Sequence, residues 1–264
     1  MRVRHEPLTE RRAVRARLAG FALLLGICPE SLSAETIRVG VAASLRDTVS
    51  EIARDFEAQH PEHQVQLAFG ASNTLAAQVV AGAPLDVLLL AHPDLEARIR
   101  RELGVQESRT FASNRLVVVT RSAEISIETP EQLLDPAIRR IAIPETAVPV
   151  GRYAREWLDT RGIAQQVAER AVRTEHARAT LVAVEHGHVD AAIVYASDAR
   201  LARKAHLAYR IPAAEQPPIL YRAVVPGRTP PAAAVRQWLD ALLGAQSQRR
   251  LEAAGFSPPP SNPR

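Results

Sequence analysis

The sequence predicts an α/β fold in two lobes with a cleft between them. Two observations carry this. Short apolar runs alternate with amphipathic helical patterns, the order expected of a parallel sheet covered by helices on both faces. That alternation occurs twice in series, first from Ile37 onward and again from Arg115 onward, with no long linker between the two. At 264 residues, 47% of them hydrophobic, the chain can bury the core of one large domain or of two modest ones.

In the first series, "IRVGVA" (37–42) reads as a strand, and Leu45, Val49, Ile52 and Phe56 mark one face of the helix after it. "VQLAF" (65–69) is a second strand with a helix following Ser72, and "DVLLLA" (86–91) is a third, followed by the helical "PDLEARIRREL". The second series opens at "RLVVVT" (115–120). In "TPEQLLD", Thr129 stands at the N-cap and Pro130 in the first turn of a helix. "RRIAIP" is a strand, "GRYAREWLDTRG" a helix ended by Gly162, and "ATLVAVEHG" a further helix. "DAAIVYA" (190–196) and "ILYRAVV" (219–225) are strands. The closing helix carries Val235, Trp238, Leu239, Leu242 and Leu243 as one stripe, and the tail "SPPPSNPR" is expected to be disordered. Whether the last helix returns to the first lobe is not decided by periodicity.

Residues 1–34 read as an export signal. An arginine-rich start precedes the apolar "LAGFALLLGIC" (18–28), and "SLSA" ends on the small residue Ala34, after which cleavage is expected. The apolar run is short for a bilayer span. Arg11-Arg12 as a twin-arginine signal and Cys28 as a lipid-anchored cysteine are weaker readings of the same stretch. Cys28 is the only cysteine, so the mature chain is expected to have neither a disulfide nor a thiolate metal site. Six arginines against three glutamates in this segment supply most of the formal net charge of +4. The nearly neutral remainder gives no support for nucleic-acid binding.

Four strand-to-helix junctions look alike: "AASLRD" with Ser44, "GASNTL" with Ser72, "AVPVGRYA" with Pro149-Val150-Gly151, and "TEHARATL" with His176-Ala177. In parallel α/β sheets these junctions lie at the carboxyl ends of strands, where ligands bind. Each helix start offers unpaired N–H groups and the positive end of a dipole, and several together make a place for an anion. Each serine taken alone could be only a helix cap. "GASNT" also nearly matches the G-x-S-x-G nucleophile elbow, with Thr74 where the second glycine belongs, so a serine hydrolase using Ser72 is a rival reading. Tyr195, at the end of "AAIVY", could reach into a cleft or bond to backbone. The histidines are scattered, His186-x-His188 is a weak metal signal, and no P-loop is present.

Taken together, "VAASLRD", "FGASNTLAAQVVAGAPLDVLLLA", "NRLVVV", "VPVGRYAREWL" and "DAAIVYASDA" resemble the periplasmic molybdate-binding proteins of bacterial ABC importers, in order from about Ile37 to Phe256. The resemblance implies a type II periplasmic binding protein fold, with lobe I at 35–116 plus 217–264 and lobe II at 117–216. It implies that Ser44 and Ser72 hold the oxyanion by hydroxyl and backbone N–H, Val150 and Ala177 by backbone N–H, and Tyr195 by its phenol. Molybdenum would be bound only as the oxyanion molybdate, with tungstate as a second ligand of the same site, and with no cofactor and no catalysis. The partner would be an inner-membrane ABC permease, the location the periplasm, and the protein a monomer. Relatives usually have a small residue where Val150 stands and an acidic one near His92; the second difference is expected to affect the cleft rim or a lobe surface rather than the shell around the oxyanion. A site of neutral donors suits a fully deprotonated dianion, because a protonated ligand brings a donor with no acceptor to meet it, at about 1–3 kcal/mol. Sulfate shares that charge state, so a sulfate-binding protein remains an alternative, separated by cavity size. Arg152 and Arg178 are expected to pair with surface acids or steer anions rather than touch the ligand.

Overall fold

A computed structural model of the chain describes residues 34–227 and 230–259. The expected export segment, with Arg11-Arg12 and Cys28, lies outside the described residues, as do residues 260–264 of the tail. The first half runs β1 (Glu35–Ala42), a 3-10 turn (Ala43–Leu45), α1 (Arg46–Gln59), β2 (His63–Gly70), α2 (Ser72–Val80), β3 (Val87–Leu90), α3 (Pro93–Glu102) and β4 (Val105–Asn114). The chain then builds β5 (Leu116–Thr120), a 3-10 turn (Pro130–Leu134), β6 (Ile141–Pro144), α4 (Pro149–Thr160), α5 (Ala164–Glu169), β7 (Ala171–Thr174), α6 (Ala177–Glu185), β8 (Ala191–Tyr195), α7 (Ala196–Ala199) and β9 (His206–Arg210). It ends with β10 (Ile219–Pro226), α8 (Ala233–Leu243) and α9 (Ala245–Ala253).

These strands form two five-stranded sheets, ordered β2-β1-β3-β10-β4 and β7-β6-β8-β5-β9. The expectation of purely parallel sheets is corrected here. β1 runs parallel to β2 and β3, and β6 parallel to β7 and β8, but β10 lies antiparallel between β3 and β4, and β5 antiparallel between β8 and β9. Each antiparallel strand follows a crossing of the chain from one sheet to the other, a reversal that hydrophobic periodicity does not encode. Leu116, put by sequence in the first lobe, pairs with Tyr195 in the second sheet.

Both faces of each sheet are covered. In β3 all four residues are buried, Leu89 joining the main core while Leu88 and Leu90 pack with Leu75, Val79 and Ile99 from α2 and α3. This is the alternation that a strand covered on both sides requires. In the second sheet, Val117, Ala142 and Val194 pack with Leu181 and Val184 of α6, and α4 buries Tyr153, Ala154, Trp157 and Leu158 against the main core. Helices α8 and α9 return to the first lobe. Trp238 meets Phe56 edge-on at 5.4 Å, and Arg250 pairs with Glu51 and Asp55 of α1. The tail expectation is also corrected at its start: Ser257 forms a β-bridge with Ser113.

Candidate functional site

The parallel strands of both sheets aim their carboxyl ends at one place. There a small cavity is lined from the first sheet by Ala42, Ala43, Ser44, Ala71, Ser72 and Ala91. From the second come Val148, Pro149, Val150, His176, Ala177 and Tyr195. The five residues singled out from sequence, Ser44, Ser72, Val150, Ala177 and Tyr195, all line it.

Local sequence explains each position. α4 begins with Pro149, whose ring presets the helical φ and which has no N–H, so Val150 presents the first donor of that helix. Gly151 follows because a Cβ there would collide with the carbonyl oxygens of Pro144 and Glu145, and this close seating brings the helix start against β6. α6 is capped by His176, whose Nδ1 accepts the Ala179 N–H at 3.1 Å, leaving Ala177 at the first position. The first-turn N–H groups of α2, α4 and α6 have no acceptor within their own helices and form the positive end of each helix dipole.

The serines do not act as side-chain caps. Ala71 is the N-cap of α2, and Ser72 instead accepts the Ala91 N–H at 3.1 Å. Ser44 lies in the 3-10 turn, its Oγ 2.9 Å from the Tyr221 hydroxyl. The bond made by Ser72 is to a backbone amide, not to a histidine, so the nucleophile–base pair of a serine hydrolase is not assembled at this position. Tyr195 is 2% exposed and its hydroxyl has no hydrogen-bond partner among the described residues. It is a buried donor on a residue that lines the cavity. Burial, with Tyr221, Tyr153 and Asp198 nearby, pushes its pKa well above the ordinary tyrosine value, so it remains a phenol.

Among the described residues, no arginine, lysine or carboxylate lines the cavity. Arg152 pairs with Asp94 at 2.7 Å, and Arg178 pairs with Asp47 and lies 3.6 Å from Asp198. Burial lifts the Asp198 carboxyl to about 7 against the opposing pull of Arg178. Arg152–Asp94 and Arg178–Asp47 each join a helix of the second lobe to one of the first. His92 caps α3 by accepting the Asp94 N–H at 3.2 Å, and its ring packs 5.0 Å from Tyr153 across the lobes. It therefore sits in the contact between the lobes and not on an open rim. Burial and the Arg152 charge lower its pKa, with Asp94 opposing. Tyr221 and Asn114 were not singled out by sequence as site residues, because only the fold brings them to Ser44 and Ser197.

A family model for bacterial extracellular solute-binding proteins matches residues 37–257. The chain belongs to that family. This solute-binding protein is 30% identical over 250 residues to the molybdate-binding protein ModA of Escherichia coli K12, covering 90% of this chain and 96% of that one. Its fold matches the periplasmic molybdate-binding protein of Azotobacter vinelandii with a TM-score of 0.77 at 23% identity, over 84% and 99% of the two chains. It also matches the sulfate-binding protein SubI of Mycobacterium tuberculosis with a TM-score of 0.73 at 18% identity, over 87% and 88%. At these identities the two structural matches speak for the fold alone.

Proposed function

We propose that this solute-binding protein captures molybdate, and tungstate with it, and delivers the anion to an inner-membrane ABC importer. One observation carries the reading: among the described residues, uncharged donors from both lobes, with the unpartnered Tyr195 hydroxyl among them, line a single cavity and no arginine or lysine does. Ser44 and Ser72 supply hydroxyls and backbone N–H groups from the first lobe. Val150 and Ala177 supply N–H groups and Tyr195 its phenol from the second. A tetrahedral dianion has acceptors on every side and no hydrogen to place, which suits such a lining. Contacts made from both sides favour closure of the first lobe on the second. The kinship with ModA supports molybdate as the cargo.

On this reading the protein is exported to the periplasm, works as a monomer, uses no cofactor and catalyses no reaction; the metal arrives and leaves inside its oxyanion. Calorimetry with molybdate, tungstate, sulfate and phosphate tests it. Molybdate and tungstate are expected to bind with similar affinity and the other two far more weakly; tight binding of sulfate alone would replace the ligand. Ser72→Ala is expected to weaken molybdate at least about tenfold, the cost of one charge-assisted bond, with an unchanged circular dichroism spectrum. Unchanged affinity in that variant would refute the site.

A further inference from the structure

We propose that Asn114 and Tyr221 fix the direction of the Ser44 hydroxyl so that it donates into the cavity, making them positioning residues that tune the site against oxyanions carrying a proton. The inference rests on the reading of this cavity as an oxyanion site.

The chain of bonds has only one consistent direction. Asn114 ends β4, and its Oδ1 accepts the Arg115 N–H at 2.9 Å. Turning the amide over would set an NH₂ group against that N–H, so the orientation is determined. Nδ2 then donates to Ser197 Oγ at 2.8 Å and to the Tyr221 hydroxyl oxygen at 3.3 Å. Tyr221 is fully buried on β10. Its oxygen is already accepting from Asn114, and its proton needs an acceptor. The remaining partner is Ser44 Oγ, 2.9 Å away. Burial raises the Tyr221 pKa far above the usual tyrosine range, so that proton stays in place. Ser44 therefore accepts from Tyr221, and its own hydrogen is directed to the cavity it lines.

Ser72 reaches the same state by a different donor, the Ala91 N–H. Tyr195 has no acceptor for its O–H among the described residues. Three hydroxyls from three separate strand ends thus present hydrogen to the ligand. A hydrogen phosphate or hydrogen arsenate brings an O–H of its own, and at Ser44 that hydrogen would meet another.

The test is a double-mutant cycle on the intact mature chain, with Tyr221→Phe, Ser44→Ala and the pair, titrated with molybdate and with inorganic phosphate. Phenylalanine keeps the ring packed against Phe111, Tyr195 and Phe256. Tyr221→Phe is expected to weaken molybdate about fivefold, the worth of one ordinary net bond. The preference for molybdate over phosphate is expected to shrink as well, because Ser44 becomes free to accept. In the Ser44→Ala background, adding Tyr221→Phe is expected to change neither quantity by more than about twofold. If wild type binds molybdate and Tyr221→Phe leaves both affinity and preference unchanged, the positioning role falls while the binding function stands. An equal loss with and without Ser44 also overturns the role, since Tyr221 would then be acting through packing. A wild type that binds no tetrahedral dianion removes the function and this inference together.

Discussion

Replacing Tyr195 by phenylalanine separates a ligand donor from a structural tyrosine, because the two roles predict opposite signs in two assays. Tyr195 is 2% exposed, and its buried hydroxyl has no hydrogen-bond partner among the described residues. Its removal therefore breaks no bond within the protein. A buried hydroxyl left unpaired costs about 1–3 kcal/mol, so the fold without ligand is expected to keep or gain stability. For a domain of this size, about 1 kcal/mol moves Tm by roughly 2–4 °C. The complex, in contrast, loses a hydrogen bond to a charged group, worth about 1.5–3 kcal/mol. That corresponds to roughly a 10- to 150-fold rise in the Kd for molybdate. Calorimetry gives the Kd, and thermal unfolding in oxyanion-free buffer gives Tm. Since Tyr195 remains a phenol, the wild-type contribution is expected to be flat from pH 6 to 9. A Kd within twofold of wild type would refute the reasoning. So would a joint fall in Kd quality and Tm, which would make the hydroxyl a support of the fold.

The paired acids and His92 give two further expectations. Asp47→Asn and Asp94→Asn each remove a bond across the lobes to Arg178 or Arg152. Their carboxylates are 54% and 68% exposed, so each change is expected to cost less than about fivefold in molybdate affinity, and less still at high salt. A hundredfold loss at either acid would mean that these pairs, not the cavity donors, hold the closed form. His92 has a lowered pKa in the fold, against an ordinary value of 6.5. Above pH 6.5 the imidazole is neutral in both states and its share of stability is fully present. Below it, the unfolded chain takes up a proton that the fold resists, so stability declines as the pH drops toward the lowered value. Thermal melts between pH 5 and 7.5 are expected to show a shallower decline for His92→Gln than for wild type; identical slopes would count against it.

What the sequence made legible follows burial. The strands β3 and β8 are buried throughout and read directly as apolar runs. The strands that pattern missed, β4, β7 and β9, are all at sheet edges. "VQESRTFASN", "AVRT" and "HLAYR" are half-exposed and carry the polar residues an edge tolerates, so no run or clean alternation marks them. Short helices such as α5, with only Ala164 and Val167 buried, lack the length for a stripe. At the site, the helix-start chemistry of Ser72, Val150 and Ala177 was readable because it is local. Which residue holds Ser44 was not, since Tyr221 is 177 positions away and only the return of β10 brings it there.

The placement of β10 also orders how the molecule can be completed. This strand sits between β3 and β4, yet it is made after the whole second sheet. Until it emerges, β3 is paired on one edge only, with β1, β4 has no strand beside it, and α8 and α9 have not arrived to cover α1. The inserted sheet, in contrast, holds all five of its strands between Leu116 and Arg210. Synthesis therefore finishes the later lobe first, and the earlier one stays a split sheet with open edges until the chain's last quarter is supplied.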